Sequence, residues 1–205
     1  MIVVVVSLGA AAVQMAMLLL TAHVLGVGQY TRFSLIVAIA LVLSSVASEW
    51  LRLIVARHGG SRRRRFRGAV LRDARRITFA LSSGLILLGL LSSAGIAATG
   101  HPDFAQLVAA TAVSAAGMMV SDMASVALRY GAVQQWQYNL YTAVRVTMMG
   151  SAALVAAIGG GNGAAVAGAF GLAGILVGGC YGLLLSPQGG VSRPGLVRRL
   201  APQGL

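Results

Sequence analysis

The chain has 205 residues, 58% of them hydrophobic and 10% charged, with a net charge of +12 and a mean hydropathy of +0.84, whereas soluble domains carry about a quarter charged residues. That balance excludes an ordinary soluble enzyme and points to an all-α, polytopic membrane protein. The charge does not indicate nucleic acid, because nine of the sixteen basic residues fall between Arg57 and Arg76, beside apolar runs rather than on a separate polar domain.

Crossing a hydrocarbon core of about 30 Å takes roughly 20 apolar residues. Six runs of that kind follow one another, so about six transmembrane helices are expected in one membrane domain, residues 1–185. The first covers residues 2–27 and reads as a retained helix, since it lacks the charged start of a secretory signal and is too long for its apolar core. Gly26, Gly28 and Gln29 end it, and a second run covers 33–56. A basic loop is expected over 57–76, with Gly59, Gly60, Ser61 and the run Arg62 to Arg65. The third run covers 77–99, and Gly100, His101, Pro102 and Asp103 break the chain, since proline is not accommodated inside a helix. The fourth covers 104–128. Residues 129–137 read as a turn, the fifth run covers 138–158, and Trp136, Tyr138 and Tyr141 suit an interfacial aromatic belt. Gly159 to Gly163 turn the chain into the sixth run, 164–185, and a polar, basic tail occupies 186–205.

Arginines are retained in the cytoplasm, which places the 57–76 loop inside. Alternation then puts both termini, Arg129, Arg193, Arg198 and Arg199 inside as well, with Arg32 alone on the opposite side. A charge within a span costs roughly 2.5 to 3.5 kcal/mol on insertion scales, so each such residue is a candidate functional position. There are four: Glu49, Arg52, Asp122 and Arg145. Glu49 and Arg52 share a helix face, extended by Ser45 and Ser48, and can pair. Asp122 sits on a weakly polar stripe with Thr111, Ser114, Met118 and Ser125, expected to line a cavity. Two spans running antiparallel from a shared turn bring Asp122 and Arg145 to similar depth, where they can pair. Structural ion pairs are the plain alternative for both.

Ser7, Gln14 and Thr21 recur every seven residues and suit hydrogen bonding between helices, while Gly174, Gly178 and Gly182 permit close helix approach. Cys180, the single cysteine, reads as a small buried hydrophobe, and His23 has no ligand partners nearby in sequence. No GxSxG, HExxH or Walker pattern occurs, and there are four acidic residues in all. Neither a catalytic centre, a metal site nor a cofactor is expected.

The stretch Leu25-Gly26-Val27-Gly28-Gln29-Tyr30-Thr31-Arg32-Phe33-Ser34-Leu35 resembles the LG-x-x-x-Y-G-x-F-S-L pattern of bacterial polysaccharide-exporting flippases, with Thr31 at the usual glycine. Those proteins belong to the multidrug/oligosaccharidyl-lipid/polysaccharide exporter superfamily. Glu49-Trp50-Leu51-Arg52 through Ala56-Arg57 also looks like their second helix running into a basic loop, and Arg129-Tyr130-Gly131 falls between spans four and five. Family members have about twelve to fourteen helices in two lobes, so the resemblance covers the first lobe only. Residues Arg193 to Pro202 look like the lead-in to a seventh helix, as in a fragment or one chain of a split protein. The resemblance implies a flippase lobe in the bacterial cytoplasmic membrane that moves a lipid-pyrophosphate-linked glycan by alternating access, with a second lobe or further copies completing the cavity. Arg52 and Arg145 would attract the pyrophosphate, and Glu49 or Asp122 would orient an arginine or hold a coupling cation. The competing expectation is a non-transporting scaffold or assembly subunit that binds anionic membrane lipids and partner helices.

Overall fold

The computed structural model describes residues 2–59, 64–130 and 135–184. These form five helices: α1 (Ile2–Gly59), α2 (Arg64–Ala98), α3 (Pro102–Tyr130), α4 (Gln135–Ile158) and α5 (Gly163–Leu184). All five are long and apolar enough to cross a membrane. The protein is therefore an all-helical chain with the helices of a membrane-embedded protein, and its six apolar runs are carried on five helices rather than six. Leu185 and the tail expected over 186–205 lie outside the described residues.

The difference in number arises at α1. A straight helix of its 58 residues would extend about 87 Å, nearly three times the hydrocarbon thickness of about 30 Å. It is broken at Gly26, where φ is 69° and ψ is 168°, a backbone region that is essentially restricted to glycine. Helical geometry resumes at once, with the Thr31 hydroxyl donating to the Val27 carbonyl at 2.8 Å, so the expected loop is reduced to one residue. Leu18 and Leu25 before the break and Phe33 and Ile36 after it join one core cluster with Ala153, Ala157 and Ala164. Met17 packs at Gly150, about two turns before the end of α4. Ala40 joins a cluster covered by Phe170, about two turns into α5. A straight helix would hold Met17 and Ala40 about 35 Å apart along its axis; at equivalent depths on antiparallel neighbours, they show that the two arms lie side by side.

The basic loop expected over 57–76 is mostly helix. α1 continues through Gly59 and α2 begins at Arg64. Arginine is a good helix former, and this segment has an apolar side: Val70, Leu71 and Ala74 are buried against Leu51, Ile54 and Val55 of α1 and Met123 of α3. Charge density suggested a loop, but a buried stripe at helical spacing outweighs it.

α3 is the most enclosed of the five, and α5 lies against it backbone to backbone. Gly117 faces Gly171, and a methyl group added at Gly171 would stand 2.6 Å from the Ser114 Cα. Equivalent additions would stand 2.8 Å from the Gly117 carbonyl oxygen at Gly174 and 2.8 Å from the Ser121 nitrogen at Gly178. The Ser114 hydroxyl, fully buried, donates to the Ala167 carbonyl at 2.8 Å across the same contact. The bond between helices expected of Thr21 is absent; its hydroxyl donates to Met17 on its own helix at 2.7 Å, Gln14 is exposed, and the Ser7 side chain is outside the described residues. Because α5 turns its glycines toward α3, Cys180 falls on the opposite, exposed face, contrary to the expectation that it is buried.

Both interhelical turns among the described residues are closed by short-range chemistry. Pro102 occupies the first turn of α3, where its missing N–H costs nothing. Asn162 caps α5, its side-chain oxygen accepting from the Ala165 N–H at 2.9 Å. The Gly163 N–H donates instead to the Gln29 side-chain oxygen at 2.9 Å, so the corner at Gly26 supplies a second cap.

Adding one methyl group at Gly171 is expected to cost about 1 to 3 kcal/mol through overpacking. Gly168, with nothing within 4 Å, is the control: thermal unfolding in detergent should drop for Gly171→Ala and hold for Gly168→Ala. Equal midpoints would dispose of the close α3–α5 contact.

Candidate functional site, an ion pair bridging two helices

Asp122 and Ser125 share a face of α3 three residues apart, and Arg145 lies on α4 one turn beyond Tyr141. The two helices make few direct contacts; α5 packs against both and holds them apart. Arginine is long enough to bridge that gap. One terminal nitrogen of Arg145 stands 2.6 Å from Asp122 Oδ1, and the other donates to Ser125 Oγ at 3.2 Å. The Ser125 hydroxyl donates to the Ser121 carbonyl at 3.1 Å, and the Tyr141 hydroxyl donates to the same carbonyl at 2.7 Å.

The pair is largely withdrawn from the surface, with side chains 25% and 23% exposed for Arg145 and Asp122. In such surroundings a charge-assisted contact is stronger than in water, and losing one partner leaves the other charge uncompensated. Tyr141 is fully buried and meets Tyr181 of α5 edge to face, with ring centroids 4.7 Å apart. It therefore does not belong to the interfacial belt in which its sequence position placed it. It braces α4 against α3 one turn from Arg145. The spacing of four between Tyr141 and Arg145 was the available signal.

Glu49 and Arg52 do pair, at 3.6 Å, but their side chains are 58% and 38% exposed. Neither makes a hydrogen bond or ion pair with Asp122 or Arg145. The reason is helical rotation: Ser44, Ser48, Leu51 and Val55 form the buried side of α1, which carries Glu49 outward. Ser48, expected on the Glu49 face, is instead buried and donates to the Ser44 carbonyl at 2.6 Å. An exposed pair of this kind contributes about 0 to 1 kcal/mol.

The polar stripe of α3 divides in the same way. Ser114 serves the α5 contact, Thr111 bonds to Leu107 on its own helix, Met118 is buried beside Ala40, and Asp122 and Ser125 meet Arg145. Comparison with family models, curated proteins and solved structures gives no match. No group of three or more metal-binding side chains occurs among the described residues, and His23 is exposed. What the site offers is a planar guanidinium already oriented by a carboxylate and a hydroxyl, suited to the oxygens of a phosphate or carboxylate.

Removing one partner should be costly here and cheap at the outer pair. Asp122→Asn is expected to destabilise by about 1 to 3 kcal/mol, with partial recovery in Asp122→Asn/Arg145→Met, while Glu49→Gln stays within about 0.5 kcal/mol. Thermal unfolding of the four proteins in one detergent measures this, and equal losses at both sites would refute the distinction.

Proposed function

We propose that the chain is a six-crossing lobe of a membrane transporter that flips a lipid-linked, pyrophosphate-bearing glycan across the bacterial cytoplasmic membrane. The observation that carries the reading is Arg145, a partly buried guanidinium stretched between two helices joined besides by the Tyr141–Ser121 bond and one small apolar cluster. A cation held inside a membrane bundle is a substrate-site candidate by its cost alone. An anionic headgroup that takes the guanidinium would loosen its hold on Asp122, leaving the Tyr141–Ser121 bond as the polar link to be broken before α3 and α4 change spacing, as alternating access requires.

In this reading each arm of α1 crosses once, folded at Gly26, and α2 to α5 cross once each. The arginine-rich end and both termini are cytoplasmic. Arg145 and Asp122 then lie in the cytoplasmic half, within reach of a substrate made inside. Arg52 and Glu49, being exposed, act at the rim of the path or against a second lobe, and a partner chain or another copy completes the cavity.

The outward-facing Glu49–Arg52 pair favours a second reading, a scaffold subunit whose outer charges meet partner helices or lipid headgroups. Reconstitution separates the two. Proteoliposomes containing the chain, alone or with the protein encoded beside it, should expose a fluorescent lipid-pyrophosphate sugar to the outer leaflet. Arg145→Ala should slow this at least about tenfold, the loss of roughly 1.4 kcal/mol of charge-assisted binding, and Arg52→Ala should slow it less. Absence of flipping in every pairing, with insertion intact, would leave the scaffold.

A further inference from the structure

The end of the bundle formed by the close of α1 and the start of α2 carries charge that the Arg145 site does not use. Residues 57–76 hold nine arginines and one acid, Asp73. Asp73 is buried, at 6% exposure, and one carboxylate cannot neutralise nine arginines. Burial of Val70, Leu71 and Ala74 against α1 and α3 fixes the rotation of this part of α2, which is thus a pinned amphipathic segment rather than a free tail. Arg72 and Arg75 are half-buried and Arg76 is exposed. Arg57 lies in the last turn of α1 and Arg129 in the last turn of α3, at the same end.

The tryptophans set the depth. Both, Trp50 and Trp136, belong to this end and are 39% and 57% exposed, and tryptophan settles at the level of lipid headgroups. Trp50 is within two turns of Arg57, and the apolar run of α2 begins at Ile77, directly after Arg76. The guanidinium groups of Arg72, Arg75 and Arg76 therefore stand at headgroup height. An acidic protein or a nucleic acid would reach this collar only from the water beyond it, whereas the phosphates of the adjacent leaflet already occupy its depth.

We infer that Arg72, Arg75 and Arg76 of α2, with Arg57 and Arg129, form a docking collar for anionic phospholipid headgroups. Arginine suits phosphate oxygens through its planar fork, and such juxtamembrane clusters concentrate acidic lipids. The inference stands whether or not the lobe transports.

A single-tryptophan protein, Trp136→Phe, reports on it through Trp50. In vesicles of phosphatidylcholine with a minor share of brominated lipid, brominated phosphatidylglycerol should quench Trp50 at least about twofold more than brominated phosphatidylcholine at equal mole fraction. The preference should vanish near about 1 M salt, where the screening length is about 3 Å. It should also fall in Arg72→Gln/Arg75→Gln/Arg76→Gln; if that variant fails to insert, the salt series on the protein with its arginines intact decides. Equal quenching by the two lipids at low salt, or a preference that survives high salt, overturns the collar.

Discussion

The bundle depends on the approach of α5 to α3. Apolar side chains gain little by leaving lipid for one another, so helices in a membrane are held by close packing and by hydrogen bonds between them. Gly117, Gly171, Gly174 and Gly178 remove the side chains that would keep the two backbones apart, and the Ser114 hydroxyl adds a bond across the seam. With α5 seated this deeply, α4 rests on α5 and α1 more than on α3, and Arg145 and Tyr141 reach across to α3.

That reach gives Arg145 its significance. Had α3 and α4 packed directly, the same pair would have been an ordinary contact between neighbours. Here the guanidinium, the Asp122 carboxylate, the Ser125 hydroxyl and the Tyr141–Ser121 bond supply polar links where apolar packing is thin. Polar groups in such a place are costly unless satisfied, and those of this network are satisfied by one another. The site is thus a structural tie between α3 and α4.

Much of this was legible in the residues. Uninterrupted apolar runs announced the helices, because only backbone that satisfies its own hydrogen bonds spans a membrane. Two spans sharing a short turn placed Asp122 level with Arg145, and a spacing of three paired Glu49 with Arg52. The direction in which a pair faces was less accessible. Ser48 and Glu49 are adjacent in sequence, yet one is buried and the other points out, and only the neighbours of α1 decide which. Tyr141 and Cys180 were misplaced for the same reason: composition locates a residue along a helix axis, whereas rotation about that axis is set by tertiary contact. The 57–76 segment shows a different limit, since its arginines masked the apolar stripe of Val70, Leu71 and Ala74. The glycine contact was half visible, with Gly174 and Gly178 readable as a repeat and Gly117 and Gly171 not.

The bond from the Gly163 N–H to Gln29 has a consequence for biosynthesis. Gln29 follows the fold in α1, and its partner opens α5. The corner at Gly26 is therefore synthesised before its partner, and the bond closes only after the three intervening helices have been made. The contact is ring closure in time as well as in space: α5, made after α4, fastens a corner made before α2.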